Sequence, residues 1–137
     1  MKSPVILAVA LLSSIGLGDV LNSNLIKDSV TCETEVFTKD DLVNACLKAL
    51  ENHNAERTPG GFPHYFSNLE GLGMAKDCDT TALYEYPLLR TIPFPQGGSA
   101  GRKRVVVNWV SETDVRICAA MFHKKSDEKF QLCQWQK

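Results

Sequence analysis

Four residues of types that can move protons or hold negative charge lie far apart in the sequence: His64, Glu85, Arg104 and His123. A histidine and a carboxylate can act as general acid and base, and an arginine can stabilise charge that develops on a phosphoryl group. If the four side chains meet at one site, they suffice for phosphoryl transfer without a metal ion. The third histidine, His53, follows a predicted helix, and we expect it to lie in solvent.

Each of these four residues falls within or at the end of a different predicted β-strand. Short runs rich in β-branched and aromatic residues predict these strands. The candidates are Val30–Phe37, Phe62–Phe66, Ala82–Leu89, Arg104–Val110, Asp114–His123 and Phe130–Trp135. A helix is predicted from Thr38 to about Asn52, with Asp40 and Asp41 in a first turn that resembles a capping box. One helix before a run of short strands predicts an α+β fold, with the helix packed on a twisted antiparallel sheet.

Taken singly, these residues also have ordinary structural explanations. A histidine in a strand is more often a packing residue, and a strand glutamate or arginine usually faces water. The combination favours a functional site, because the residues lie on separate strands that can share one sheet face.

The composition describes one folded domain. The chain has 137 residues, of which 44% are hydrophobic and 23% charged, and this is enough to bury a core. Its 15 Lys and Arg against 16 Asp and Glu give a formal net charge of −1. This balance excludes a broadly basic nucleic-acid-binding surface, so any site for a polyanion must be local.

Residues 1–18 predict a secretory signal peptide. Lys2 provides a positive start, Val5–Leu12 is apolar, and small residues precede a cleavage site before Asp19. The apolar run is too short for a membrane anchor. We therefore expect a secreted, extracellular domain spanning residues 19–137. Losing Lys2 leaves 14 basic against 16 acidic residues, a net charge of −2.

The positions of the cysteines are consistent with a secreted protein. All five lie in the predicted mature chain, where oxidation is permitted: Cys32, Cys46, Cys78, Cys118 and Cys133. No pair has Cys-x-x-Cys spacing and none lies in a histidine-rich cluster, so no metal site is expected. An odd number leaves one free thiol. Cys46 is the best candidate, because it shares an apolar helical face with Leu42 and Leu50. The other four can pair in three ways, and spacing does not choose among them.

Five segments carry a family resemblance: Phe62–Leu72 (FPHYFSNLEGL), Leu83–Leu88 (LYEYPL), Gly97–Val106 (GGSAGRKRVV), Cys118–His123 (CAAMFH) and Phe130–Cys133 (FQLC). In this order the chain resembles the secreted fungal guanyl-specific ribonucleases of the ribonuclease T-one and N-one type. Ribotoxins and ribonuclease-like secreted effectors are relatives of that family. Each motif is short, but four of them carry one candidate catalytic residue each. The resemblance covers about residues 30–133 and implies the microbial ribonuclease fold.

The resemblance implies cleavage of single-stranded RNA 3′ of guanosine, by transesterification to a 2′,3′-cyclic phosphate. Glu85, assisted by His64, would take the proton of the ribose 2′-hydroxyl. His123 would protonate the departing 5′ oxygen, while Arg104 and a protonated His64 would offset charge on the phosphoryl oxygens. No cofactor or metal ion is expected. RNA is the expected partner of a monomer that does not bind membranes.

The resemblance also implies a base pocket. Glu70 stands where the family places a carboxylate that accepts two adjacent N–H donors of guanine. Phe66 matches an aromatic residue of that pocket, and Asn68 matches a residue whose loop backbone reads guanine. Phe62 and Phe130 match positions beside the reacting phosphate. The plain alternative is that Glu70 only forms part of a turn.

The disulfides follow from the resemblance as well. Some family members pair a cysteine seven residues before the catalytic glutamate with one five residues before the last histidine. Cys78 and Cys118 have these offsets from Glu85 and His123. The family's terminal bridge then implies Cys32–Cys133.

Several positions depart from the family pattern. Phe62 lacks the hydroxyl of the usual tyrosine, and Leu69 replaces a base-stacking aromatic residue. Phe122 stands where a small threonine is common, and we expect it to crowd the site. The loop Lys124–Lys129 is shorter than usual.

Two basic residues, Arg102 and Lys103, precede Arg104 directly. One interpretation is that they help to hold the RNA backbone. The other is that they form a solvated turn.

Three functions are open at this point. The leading hypothesis is an extracellular guanine-preferring endoribonuclease. The second is a catalytically weak or inactive ribonuclease-fold effector of a plant- or insect-associated fungus, which binds host RNA or a host protein; the altered positions and the acidic charge favour it. The third is a ribotoxin, which the lack of long basic loops and the net charge of −2 disfavour.

Overall fold

The structure, a computed structural model, describes residues 18–124 and 129–135. The strands are β1 (Asp19–Leu21), β2 (Ser29–Cys32), β3 (Glu35–Thr38), β4 (His64–Tyr65), β5 (Tyr84–Pro87), β6 (Lys103–Trp109), β7 (Asp114–His123), β8 (Phe130–Leu132) and β9 (Gln134–Trp135). Helix α1 is Lys39–Asn54, and 3₁₀ turns cover Ser23–Leu25 and Pro59–Gly61. The predicted α+β fold is confirmed.

Helix α1 begins at a capping box. The Thr38 hydroxyl accepts a hydrogen bond from the Asp41 backbone N–H (3.1 Å), and the Asp41 carboxylate accepts one from the Thr38 N–H (2.9 Å). These bonds satisfy two of the free donors at the helix start. Its apolar face, which includes Leu42, Cys46 and Leu50, is buried. The helix ends at Asn54, two residues later than the prediction.

The main sheet contains six strands of the described chain, in the order β1-β7-β6-β5-β4, with β8 also paired to β7. Every pair in it is antiparallel except β1 with β7. Strand β1 was not predicted, because three residues are too short a run to show a period.

A smaller sheet has the order β3-β2-β9. The single strand predicted over Val30–Phe37 is in fact a hairpin, because the chain reverses at Glu33, which adopts a φ of 61°. Glutamate rarely adopts a positive φ, so the sequence carried no turn signal there. The strand predicted over Phe130–Trp135 likewise divides at Cys133 into β8 and β9, which belong to different sheets.

Both faces of the main sheet bury apolar side chains, but the two clusters differ in size. On one face, α1 packs against a large apolar cluster that includes Tyr86, Val105, Val107 and Ile117. The other face carries a smaller cluster around Val106, Met121 and Phe66, without a helix over it in the described chain. This second face has room for other side chains.

Two disulfides join distant parts of the chain. They are Cys32–Cys133 and Cys78–Cys118, the pairing implied by the family resemblance. They close stretches of 101 and 40 residues, which in the chain-entropy model contribute roughly 4.7 and 4 kcal/mol as upper values. Cys46 is free and buried in α1, and burial raises the pKa of its thiol.

Two sequence predictions fall largely outside the described residues: the signal peptide, of which only Gly18 is described, and positions 125–128 of the short loop. Within the described ranges, no helix is long and apolar enough to cross a bilayer. In the same ranges, no three His, Cys, Asp or Glu side chains are grouped so that they could hold a metal ion.

Candidate active site

The strand register brings the four predicted catalytic residues onto one face of the main sheet. His64 on β4 lies directly opposite Glu85 on β5, so their side chains point to the same side. Arg104 on β6 is the diagonal neighbour of Glu85. His123 on β7 is in turn the diagonal neighbour of Arg104. Because side chains alternate along a strand, all four lie on the face turned away from α1.

The Glu85 carboxylate joins two of the other groups. Its Oε2 lies 2.8 Å from His64 Nε2, and its Oε1 lies 3.3 Å from Arg104 Nε. Glu85 is only 7% exposed, whereas the His64 side chain is half-exposed. A buried carboxylate is tolerated when it is paired, and here an imidazole and a guanidinium provide the pairing.

Arg104 is fixed by the backbone around it. Its Nη1 donates hydrogen bonds to the carbonyls of Gly101 (2.8 Å), Lys103 (3.0 Å) and Ala100 (3.4 Å). Burial lowers the pKa of the Arg104 guanidinium, while the nearby Glu85 opposes this effect. An arginine keeps its charge in proteins, so a rigid cation lies beside the carboxylate.

His123 ends β7 and lies next to an aromatic pair. It is opposite Phe130 in the β7–β8 ladder, and the two rings meet edge to face at 5.1 Å between centroids. Phe130 in turn meets Phe66 edge to face at 5.7 Å. These contacts give the imidazole an apolar wall on one side.

Phe62 forms a second apolar wall. Its ring centroid lies 4.7 Å from that of His64 and 4.7 Å from the Arg104 guanidinium carbon. On another side the ring packs edge-on against Phe94, at 6.1 Å. Phe62 therefore contacts His64 and lies with its ring face under the Arg104 guanidinium, and its side chain has no polar atom to offer.

The loop that contains the predicted base-reading residues is tightly shaped. Asn68 adopts a φ of 56°, and its side chain both donates to the Leu72 carbonyl and accepts from the Leu72 N–H. Glu70 is exposed, and its Oε2 accepts a hydrogen bond from the Phe130 N–H (2.9 Å). Phe66 is buried in the cluster on this face. Glu70 thus connects the loop to the strand beside His123.

The structure corrects the expectation that Phe122 crowds the site. Phe122 is 6% exposed and belongs to the apolar cluster beneath α1. It adjoins His123 in a regular strand, so its side chain points to the opposite face.

Lys103 is paired with carboxylates, which disfavours its interpretation as an RNA-binding residue. Lys103 Nζ lies 3.3 Å from a Glu35 carboxylate oxygen and 4.0 Å from one of Glu33, and its side chain is largely buried. Arg102 Nη1 lies 3.3 Å from Glu33 and donates to the His123 carbonyl. Neither residue forms a freely solvated turn.

His53 is exposed, as expected, but it is not free of contacts. Its ring stacks on Trp109 with centroids 4.1 Å apart and planes 8° apart. Burial lowers the pKa of His53. It lies at the end of α1, apart from the four residues described above.

The arrangement can carry out acid–base chemistry at a phosphate. A carboxylate in contact with one imidazole can remove a proton, and a second imidazole on the same face can supply one. The guanidinium between them can stabilise the negative charge that develops.

These features define a class of protein, a disulfide-linked α+β domain with an acid–base face on its sheet, and sequence comparisons identify its family. The profile of the ribonuclease family matches residues 26–134. The chain is 37% identical over 87 residues to guanyl-specific ribonuclease Th1 of Trichoderma harzianum, covering 59% of this chain and 76% of that protein. It is 30% identical over 80 residues to guanyl-specific ribonuclease T1 of Aspergillus oryzae, covering 57% of this chain and 59% of that protein. The chain belongs to the ribonuclease family.

Proposed function

We propose that this protein is a secreted endoribonuclease that cleaves single-stranded RNA 3′ of guanosine and leaves a 2′,3′-cyclic phosphate. One observation carries the proposal: the Glu85 carboxylate contacts both His64 and Arg104 on the face that also bears His123. Family membership and the names of the two relatives support RNA as the substrate and guanine as the preferred base.

The reaction begins at the ribose 2′-hydroxyl. Glu85, with His64 at 2.8 Å, accepts the hydroxyl proton while the 2′ oxygen attacks the adjacent phosphorus. Arg104 stabilises the negative charge that builds on the phosphoryl oxygens. DNA lacks this hydroxyl and is not a substrate.

The reaction ends at the 5′ oxygen. His123 donates a proton to this oxygen as the bond to phosphorus breaks, so the leaving group departs as an alcohol. The same groups, with acid and base roles exchanged, hydrolyse the cyclic phosphate more slowly. Phe62 and Phe130 contribute apolar walls beside these reacting groups.

Glu70 is the proposed reader of guanine. Its exposed carboxylate can accept hydrogen bonds from N1–H and the N2 amino group, two adjacent donors that adenine does not present in this pattern. The bond from the Phe130 N–H orients that carboxylate. Asn68 supports the loop backbone through its two hydrogen bonds to Leu72.

Secretion is part of the proposal. The positive start and the apolar run Val5–Leu12 are typical of a signal peptide. The two disulfides are suited to an oxidising, extracellular setting. Detection of a mature N-terminus at Asp19 in culture medium would test this part.

The decisive experiment is cleavage of the dinucleotides GpC, ApC, UpC and CpC by the purified protein. We expect GpC to be cut fastest, and Glu85→Gln or His123→Gln to lower its cleavage by about 10²–10⁴-fold. Glu112→Gln and His53→Gln are matched controls, because both side chains lie outside this face and are exposed. Equal activity of all these variants would overturn the proposal.

A second function is favoured by two of the altered positions. Phe62 lacks a hydroxyl, and Leu69 is 90% exposed where the family has a stacking aromatic residue. Both changes suit a domain that binds RNA or a host protein without cutting. Phe122 no longer supports this alternative, because it faces away from the site. A folded wild-type protein that binds RNA and cleaves none of the dinucleotides would favour it.

A further inference from the structure

Arg102 is not one of the proposed catalytic groups, yet it bonds both the N–H and the carbonyl of His123. The His123 N–H donates to the Arg102 carbonyl at 3.2 Å. The Arg102 side chain reaches across, and its Nη1 donates to the His123 carbonyl at 2.6 Å. A hydrogen bond from a guanidinium is stronger than a neutral one, so this contact constrains the last residue of β7.

The guanidinium of Arg102 is itself held in place. Its Nη1 lies 3.3 Å from Glu33 Oε1, and Glu33 forms the turn between β2 and β3. The preceding residue, Cys32, is joined to Cys133, which directly follows β8. Glu33 neutralises Arg102, so this cation is poorly placed to bind phosphate and well placed to fix the backbone.

His123 is the last residue of β7, and its two edges are held differently. On one edge it pairs with Phe130 of β8. On the other edge the β6–β7 pairing ends at Lys103 and Phe122, and His123 is held there by its two contacts with Arg102. The direction of the imidazole depends on how this terminal backbone is oriented. A general acid must be aligned with the oxygen that it protonates.

We propose that Arg102, oriented by Glu33, is a positioning residue that aligns His123 with the leaving 5′ oxygen. The inference rests on the proposed function. Arg102 touches neither the substrate nor the reacting atoms, and it acts only through the backbone of His123.

The proposal can be separated from a general structural effect by changing the leaving group. In GpC, the bond from O2′ to phosphorus forms while the bond from phosphorus to O5′ breaks. The O5′ atom takes the bonding electron pair and the proton of His123, while Glu85 holds the proton from the 2′-hydroxyl. In guanosine 3′-(4-nitrophenyl phosphate), the phenolate leaves with its electron pair and needs no proton. A misaligned His123 therefore slows the first reaction much more than the second.

The experiment measures kcat and KM of Arg102→Ala on both substrates. We expect kcat on GpC to fall on the order of ten- to a hundredfold, with KM and the aryl-ester kcat changed by less than about twofold. Arg102→Lys keeps a charged donor and should recover part of the loss. Arg90→Ala is the matched control. Arg90 pairs at 3.5 Å with Glu35, which lies on the same β2–β3 hairpin as Glu33, and this variant leaves the contacts of His123 intact. It should behave as wild type.

Three results would overturn the proposal: equal loss on both substrates, a rise in KM alone, or wild-type kcat on GpC. If wild type cleaves neither substrate, the proposed function fails; if wild type cleaves both and Arg102→Ala shows no leaving-group contrast, only the role of Arg102 fails. Circular dichroism checks that the variants fold. If Arg102→Ala does not fold, the test uses Glu33→Gln and Arg102→Lys. Both should lose more kcat on GpC than on the aryl ester, to a smaller degree than expected for Arg102→Ala. If neither variant shows this difference, the proposal is refuted.

Discussion

The two faces of the main sheet are built from the same strands and differ in what they bury. The face beneath α1 buries mainly apolar side chains, and the buried Tyr86 hydroxyl there accepts a hydrogen bond from the Asn52 amide and donates one to the Phe94 carbonyl. The opposite face buries Glu85 and Arg104.

The difference follows from what covers each face. The backbone carbonyls in the middle of a helix are occupied by its own hydrogen bonds, so the helix backbone offers no acceptor to a buried cation. Loops have free carbonyls, and those of Ala100 and Gly101 accept hydrogen bonds from Arg104. Buried charges are retained where such partners exist. The helix-covered face therefore provides stability, and the loop-covered face can hold reactive groups.

The strongest test of this separation is Ile117→Ala. Ile117 is fully buried beneath α1, so the change should lower the free energy of unfolding by about 2–5 kcal/mol while kcat of the folded protein stays the same. Urea denaturation and GpC cleavage measure the two quantities. Ile92→Ala, at an exposed position, is the matched control. A loss of kcat without a loss of stability would show that the two faces do not have separate roles.

Tyr86→Phe tests a buried hydroxyl on the face beneath α1. The change leaves the Asn52 amide and the Phe94 carbonyl without their partner and should cost about 1–3 kcal/mol of unfolding free energy. Burial raises the pKa of Tyr86 to about 12 from an ordinary value of 10.0. The unfolded chain therefore loses this proton first, and wild-type stability should fall as pH rises through this interval. In Tyr86→Phe, denaturation curves should not show this fall in stability with pH. The control Tyr65→Phe, changed at an exposed site, should still show it.

Phe62→Tyr changes the reactive face alone. A hydroxyl beside the phosphoryl group adds a hydrogen bond to a charged acceptor, so kcat/KM on GpC should rise about tenfold. The free energy of unfolding should change by less than about 0.5 kcal/mol, because only the reactive face is altered. An unchanged kcat/KM would mean that position 62 serves only to pack against Phe94.

The smallest effect is expected at His53. Burial lowers its pKa, so the unfolded state binds a proton at a higher pH than the folded state does. Neutral His53, stacked on Trp109, contributes to stability at pH values above the ordinary pKa of histidine. This contribution is lost as the pH falls through the lowered pKa of the folded state. Thermal midpoints from about pH 8 to about pH 5 should show this loss in wild type but not in His53→Gln. Identical curves would contradict it.

Local patterns predicted the elements well. The Thr38–Asp41 capping box defines the start of α1, and the bounds predicted for β7 match the structure. Each of these signals lies within a few neighbouring residues, where sequence and backbone are directly coupled. The family resemblance, rather than the patterns, pointed to the correct disulfides.

The errors have physical reasons. Alternation within β7 already requires Phe122 to face away from His123, so that error came from comparing single positions without their strand. The pairing of Arg102 with Glu33 joins residues 69 positions apart, and no local signal specifies it. Helix caps and strand periods are local, whereas contacts between side chains depend on register and on turns such as that at Glu33.

The Cys32–Cys133 bridge has a consequence for survival among proteases. A single backbone cut anywhere between these two residues leaves both fragments in one covalent molecule, and a cut between Cys78 and Cys118 is spanned by both bridges. The exposed loop around Leu69 lies within the larger of the two enclosed stretches. A nicked molecule therefore separates into pieces only after reduction, and its fragments stay close enough to reassemble as long as the surroundings are oxidising.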